Sequence, residues 1–234
     1  LQGQMSRKRL TALVAAGVAA VLFVLWLCCL PRDLFPDCYS SCVLDRNGEL
    51  LGARIAADGQ WRFPPCESVN RKYAAAVIEF EDRRFRYHPG VDPLAAGRAL
   101  VQNIRNSRTV SGASTISMQL IRLSRGNRKR NIGEKVLECI MATRLELRYS
   151  KDEILALYAS HAPFGGNVVG IDAASWRYFG HSSGELSWGE AATLAVLPNS
   201  PSSIHPGRNR DRLLAKRNAL LLRLRDKGTI SYLL

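Results

Sequence analysis

The chain has 234 residues, 47% of them hydrophobic, which suffices for one packed domain of good size plus an accessory segment and excludes a disordered chain. Lys and Arg number 33 against 20 Asp and Glu, a formal net charge of +13, so an anionic partner is expected. Nucleic acid, an acidic membrane surface and a phosphate-bearing substrate each fit that charge.

Position along the chain narrows the choice. Residues 10–30 carry no charge and are rich in Leu, Val and Ala. At about 1.5 Å per residue such a run spans a hydrocarbon core of roughly 30 Å. Arg7, Lys8 and Arg9 stand directly before it, so residues 1–9 are expected in the cytoplasm and the remainder outside the cell (inner) membrane. The run closes on Trp26-Leu27-Cys28-Cys29-Leu30 without the small-x-small site of a cleaved signal peptide, so an uncleaved single-pass helix is expected. With the membrane accounting for the basic flank, nucleic acid is not an expected partner. Cys38 and Cys42 fit either a small disulfide or two thiols, and the four histidines show no metal-ligand spacing. No cofactor is expected; the sequence leaves a divalent cation open.

Residues 31–65 read as an extracytoplasmic β stem. Asn47-Gly48 between two apolar runs signals a hairpin, and Trp61-Arg62-Phe63-Pro64-Pro65 closes the stem. From residue 66 to 234 the pattern is helical. An apolar run at 74–78 ends in Glu81-Asp82 and breaks at Pro89-Gly90, which holds a carboxylate on rigid scaffold. By itself that cluster also reads as a solvated helix end paired with Arg83, Arg84 and Arg86. Asp92-Pro93 starts a helix, residues 105–112 form a basic loop, and Ser114-Thr115 cap the next helix. Leu100, Val101 and Ile104 beside Arg105 and Arg108 make residues 100–110 a candidate interfacial segment. Residues 133–148 form a long amphipathic helix with Val136, Leu137, Ile140, Met141 and Leu145 on one face. Ser150-Lys151-Asp152-Glu153 caps another, Phe164-Gly165-Gly166-Asn167 is a turn, and helices follow at 170–179, 187–197 and 210–225. No strand is expected after Pro65.

Glu81-Asp82-x-x-Phe85-x-x-His88-x-Gly90 resembles the first signature of the peptidoglycan glycosyltransferases, glycosyltransferase family 51. Gly112-Ala113-Ser114-Thr115-Ile116-Ser117-Met118-Gln119 resembles the second, Lys135-x-x-Glu138 the end of the third, and Arg148-Tyr149-Ser150-Lys151-Asp152-Glu153-Ile154-Leu155 the fourth. Gly170 through Ala173-Ala174 to Tyr178-Phe179-Gly180 resembles the fifth. Five signatures in order make a chance match remote. The resemblance implies a mainly α fold, a lysozyme-like helical glycosyltransferase domain preceded by a single transmembrane helix and a small β stem. It also implies that lipid II and the growing glycan strand are the substrates, with other wall-synthesis proteins as candidate partners.

Extending a β-1,4 chain from an α-linked diphosphate inverts the anomeric carbon, which needs one base and cations for the departing diphosphate. By the family match Glu81 is the base, Glu138 orients the diphosphate side, and Lys135 and Arg122 are the cations. Asp82, Phe85, His88, Ser114, Thr115, Gln119 and Arg148 complete the expected substrate site. Without the family, Lys135 and Glu138 read equally as a helix pair, and Ser114 and Thr115 as ordinary caps. The chain departs from the signatures at Glu134, where Arg is usual, at Met118 (Gln), at Ser160 (Asn) and at His181 (Lys); the first weakens the expected hold on diphosphate, although Arg128, Lys129 and Arg130 lie just upstream. Ser-x-x-Lys and Lys-Thr-Gly are not found, so a transpeptidase domain is expected to be absent, and the residues before Met5 suggest a fragment. Two other classes remain beside the polymerase: a lytic lysozyme-like hydrolase, and a truncated non-catalytic scaffold.

Overall fold

The uncharged run forms helix α1 (Arg7–Leu27), exposed from Arg9 to Leu25 and, among the described residues, the one helix long and apolar enough to cross a membrane. The computed structural model describes residues 7–105, 114–128, 131–199 and 207–230. The end of α1 is fastened to the long helix α5 (Ile132–Arg148). Trp26 Nε1–H donates to Thr143 Oγ1 at 3.0 Å, and Arg144 Nε–H donates to the Leu27 carbonyl at 3.2 Å.

The expected hairpin is present as antiparallel strands β1 (Ser41–Leu44) and β2 (Leu50–Arg54), with the turn tied by Asp45 Oδ1, which accepts from the Asn47 and Glu49 amides. The absence of strands after Pro65 is not met. Strand β3 (Trp61–Arg62) runs parallel to β5 (Val168–Val169), and β5 pairs antiparallel with β4 (Pro163–Gly165). Strands of two or three residues contain too few positions for a period, and this pairing joins segments about a hundred residues apart. Phe35 also stacks on His161 at 3.7 Å, so the stretch before Pro65 is packed onto the helical body.

The mainly α body forms around α4 (Ile116–Ser124), whose residues from Ile116 to Ile121 are all buried; a helix enclosed on every side is a core helix. It packs against α5 and α6 (Lys151–His161). Helix α2 (Arg71–Glu81), capped by the Asn70 side chain, lies on α8 (Trp188–Val196), where Ala191, Ala192 and Ala195 allow close approach. Helices α3 (Pro93–Arg105), α7 (Ile171–Phe179) and α9 (Arg210–Asp226) complete the body. Local chemistry sets the starts. Asp92 Oδ1 accepts from the Leu94 and Ala95 amides, and Ser150/Glu153 and Ser187/Glu190 form reciprocal capping boxes for α6 and α8.

Helix α5 departs from its expected face. Met141 and Leu145 are buried as expected, but Val136 and Ile140 are 53% and 43% exposed, and Glu138 and Ala142 take the buried positions instead. The helix carries two apolar stripes, of which only one meets α4. Most of the candidate interfacial segment at 100–110, together with Lys129 and Arg130, lies outside the described side chains. All six cysteines, Cys38 and Cys42 included, are free thiols.

Gly90 is where backbone meets backbone. Its φ is +94°, and a Cβ there would stand 2.5 Å from the Ala142 carbonyl oxygen of α5. Gly90→Ala is therefore expected to destabilise the fold by about 1–3 kcal/mol. Gly97→Ala, within α3 and with open space around it, should stabilise by about 0.5–1 kcal/mol. Thermal unfolding of both variants checks this; a neutral Gly90→Ala would mean that α5 does not press on this loop.

Candidate active site

The loop after α2 is held by a buried carboxylate. Both Asp82 oxygens lie within hydrogen-bond distance of His88 Nε2, at 3.0 and 2.9 Å, and Oδ2 also accepts the Ile116 amide at 3.1 Å. The Gly90 amide donates to His88 Nδ1 at 3.2 Å, so Nδ1 is the acceptor and Nε2 carries the proton given to Asp82. Thr115 Oγ1 donates to the Gly90 carbonyl at 2.6 Å and accepts the Met118 amide at 3.1 Å, capping α4. Phe85 is fully buried under Lys151, whose ammonium sits 4.4 Å above the ring and donates to the His88 carbonyl at 2.7 Å. Four expected substrate contacts, Asp82, Phe85, His88 and Thr115, are thus engaged with one another and shape the loop.

Glu81, the last residue of α2, is held next to this latch. Its Oε2 accepts from the Gln119 amide at 2.7 Å, while Oε1 is buried without a partner among the described residues. Tyr158 O–H donates to Gln119 Oε1 at 3.4 Å, which fixes the orientation of the amide and turns its NH₂ toward Glu81. Burial pushes the Glu81 carboxyl above the ordinary carboxylate range, and the Gln119 hydrogen bond and the charges of Arg122 and Lys216 oppose that rise. Burial also pushes the Tyr158 and Tyr73 phenols up, so both stay neutral beside the carboxylate.

Two cavities meet at this pair. Glu81, Ser114 and Thr115 line a cleft of about 300 Å³ together with Arg84, Arg98 and Arg223. Gln119 and Arg122 line a second cavity of about 210 Å³ with Tyr158 and Asn199. Arg122 Nε is buried and unpartnered, a donor group without an internal acceptor among the described residues. The Glu81–Gln119 hydrogen bond therefore forms a wall shared by two cation-bearing cavities.

The remaining expected residues lie farther out. Lys135 is exposed and Glu138 buried on α5, one turn apart, and neither lines either cavity. Arg148 is not brought to the cleft: its guanidinium donates to the Pro31 and Arg32 carbonyls at 2.7 and 2.6 Å, fastening the segment that follows α1. Glu134, where the signature usually has Arg, forms a bidentate pair with Arg125. Sequence reasoning missed Tyr158 and Asn199, which line the second cavity and which no quoted signature contains. Among the described residues no group of three or more His, Cys, Asp or Glu comes together.

The family model described as Transglycosylase matches residues 47–225. The chain belongs to that family. Penicillin-binding protein 1C of Escherichia coli (strain K12) is 44% identical over 190 residues, covering 81% of this chain and 24% of that protein. Penicillin-binding protein 1A of Aquifex aeolicus (strain VF5) is 38% identical over 189 residues, covering 81% of this chain and 26% of that protein. A crystal structure of penicillin-binding protein 1A from Haemophilus influenzae is 22% identical, with a TM-score of 0.45, covering 85% of this chain and 20% of that one. The chain thus spans about a quarter of the length of the curated relatives it matches. The transglycosylase resemblance drawn from the five signatures is met, and so is the likeness to penicillin-binding protein 1C carried by Met118-Gln119, Ala162-Pro163-Phe164-Gly165-Gly166 and Leu194-Ala195-Val196-Leu197-Pro198.

The latch has a measurable signature. Asp82→Asn leaves the Ile116 amide and His88 with a weaker, uncharged acceptor, and should destabilise by about 1–3 kcal/mol. His88→Gln should do likewise, and the double variant should lose less than the sum, with a coupling of about 0.5–3 kcal/mol. Strict additivity in chemical denaturation would show that the two side chains act independently.

Proposed function

We propose that this chain is a membrane-bound peptidoglycan glycosyltransferase that polymerises lipid II into β-1,4 glycan strands, releasing undecaprenyl diphosphate with inversion. The observation that carries the reading is the Glu81 carboxyl at the wall between two cation-bearing cavities, one oxygen oriented by Gln119 and the other without a partner among the described residues. Membership of the transglycosylase family supports it.

In this mechanism the acceptor sugar supplies the partner Oε1 lacks. Glu81 takes the proton of the acceptor 4-hydroxyl as that oxygen bonds to the anomeric carbon of the donor. The bond from that carbon to diphosphate breaks, and the diphosphate leaves with its electron pair. Arg122 stabilises the charge that develops there, its unpartnered Nε being a preorganised donor. Lys135 and Glu138 act on the diphosphate side from α5. The latch of Asp82, His88 and Thr115 keeps the end of α2 at a fixed distance from the start of α4, the preorganisation that such a step requires. Helix α1 anchors the domain with Arg7, Lys8 and Arg9 on the cytoplasmic side and the site outside, where lipid II keeps its tail in the bilayer. Other wall-synthesis proteins are candidate partners of the anchored domain.

Incubation of the full chain in nanodiscs with labelled lipid II tests the reading: long glycan is expected, whereas a hydrolase would shorten added glycan and a scaffold would leave lipid II unchanged. Glu81→Gln keeps the shape but cannot accept a proton, and should lose about 10²–10⁴-fold in rate. Retention of more than about a tenth of the activity would remove Glu81 from the role of base. The pH dependence follows from the raised carboxyl. The working form is the carboxylate, so the rate should fall as pH drops through the Glu81 pKa. That limb should lie above the ordinary Glu value of about 4.3. A rate flat down to that value would contradict the assignment.

A further inference from the structure

A further cavity shares no lining residue with the two at Glu81. It lies between the stretch that follows α1 and the helical body and has a volume of about 340 Å³. Arg32, Asp33 and Tyr39 line it from one side, and Arg148, Tyr149 and His161 from the other. Arg32 comes five residues after Leu27, the end of α1, so the chain carries it no more than about 17 Å from that point. Arg144 holds the Leu27 carbonyl to α5, and Arg148 holds those of Pro31 and Arg32. The cavity is thereby fixed close to the end of α1.

His161 is the wall with chemistry left over. It ends α6, is 5% exposed, and stacks on Phe35. The Leu157 carbonyl can only accept, so His161 Nδ1 is the protonated nitrogen and donates to it at 2.9 Å. Burial pushes the ring below the ordinary histidine range, against the Leu157 carbonyl and the charge of Asp37. The neutral ring therefore keeps a lone pair at Nε2, and Nε2 is buried without a partner among the described residues. A buried acceptor of this kind calls for a donor. The other lining groups are mostly donors. Arg148 uses two of its five N–H groups on the Pro31 and Arg32 carbonyls, and the Arg32 side chain is exposed. Asp33 is the one carboxylate among the lining residues.

We propose that this cavity takes a phospholipid headgroup bearing both a phosphate and a primary ammonium, phosphoethanolamine, with the phosphate on Arg32 and Arg148 and the ammonium on His161 Nε2 and Asp33. The proposal rests on the reading of α1 as membrane-spanning. The 19 residues from Arg9 to Leu27 match a hydrocarbon core of roughly 30 Å, and headgroups lie just beyond that core. The donor set selects the headgroup. Guanidinium groups suit a phosphate, and two acceptors, one neutral and one charged, suit an ammonium with three N–H groups. Choline has no N–H and leaves Nε2 unpaired. Glycerol offers hydroxyl donors but no cation for Asp33. A bound headgroup would join the stretch after α1 to α6, the helix whose Tyr158 orients Gln119.

The test places the full chain in nanodiscs of equal parts phosphatidylethanolamine, phosphatidylglycerol and phosphatidylcholine. Native mass spectrometry then identifies the lipid retained when the bilayer is stripped away. One phosphatidylethanolamine is expected, favoured over phosphatidylcholine by about tenfold. Arg32→Gln and Asp33→Asn, both at exposed positions, should each weaken retention by about fivefold or more, and Arg46→Gln on the hairpin should change nothing. His161→Phe keeps a ring against Phe35 and should abolish the preference for ethanolamine over choline. Nitrogen-15 NMR of the wild type in detergent reads Nε2 directly: its resonance should move with O-phosphoethanolamine and stay in place with O-phosphocholine. Equal retention of the three lipids, or an Nε2 resonance that ignores O-phosphoethanolamine, would overturn the proposal. So would inorganic phosphate competing equally well, which would leave a plain anion site. Resistance to alkaline carbonate extraction checks the spanning α1 separately. O-phosphoethanolamine bound in detergent, with no lipid retained and the chain extracted by carbonate, would refute the membrane source and the spanning helix together.

Discussion

Everything in the site depends on one carboxylate leaving a helix in the right direction. Asp82 terminates α2, and its oxygens are held by the Ile116 amide at the start of α4 and by His88 from the loop between. A negative charge at a helix N-terminus is favourable, because it meets unsatisfied amides and the positive end of the helix dipole. A single side chain thus ties the C-terminal end of one helix to the N-terminal end of another. The residue before it, Glu81, has little freedom left. The latch is closed by Thr115 on the Gly90 carbonyl and by Lys151 on the His88 carbonyl. Gly90 must be glycine because α5 passes directly over it.

That constraint explains how adjacent acids come to differ. Asp82 is surrounded by donors and satisfied, whereas among the described residues Glu81 has one donor and one oxygen without a partner. Burial disfavours the charged form of Glu81, and a hydrogen-bond donor and neighbouring cations favour it. The structure sets the two effects against each other: burial raises the carboxyl, and Gln119, Arg122 and Lys216 draw it back. Tyr158 contributes without touching Glu81, since its hydroxyl decides which end of the Gln119 amide faces the carboxylate.

What the sequence revealed was local. Helix starts were readable because a cap is a contact within three or four residues: Asp92, Thr115, Ser150 and Ser187 each bond amides of their own first turn. The Glu81 and Gln119 positions were marked by spacing within signatures, and Arg122 follows three residues beyond the second. What was missed depends on distance in the chain. Tyr158 meets Gln119 across 39 positions of chain, on a helix with Leu155 and Ala159 buried on either side of it, so nothing local sets it apart as a site residue. The strands after Pro65 were invisible because their partners are remote and their length holds no period. Arg148 belongs to a recognisable signature, yet its direction was settled by the carbonyls of Pro31 and Arg32, which no signature contains.

Helix α5 shows the same limit from the other side, and links the site to α1. Periodicity marked Val136 and Ile140 as core because they are apolar at helical spacing, but apolar spacing says only that a face avoids water, not what covers it. On α5 one stripe, with Glu138, Met141, Ala142 and Leu145, enters the body, while Ile132, Val136 and Ile140 remain uncovered. The same helix takes hold of the end of α1 through Thr143, Arg144 and Arg148. If α1 crosses a bilayer, the uncovered stripe lies on the element nearest that crossing, where acyl chains rather than water would meet it. Helix α5 also carries the Ala142 carbonyl that presses on Gly90 and the Glu146 carboxylate that holds Lys151. One rigid helix therefore bears on the latch from one face and on the end of α1 from another, and the same seventeen residues that hold α1 brace the loop beside Glu81.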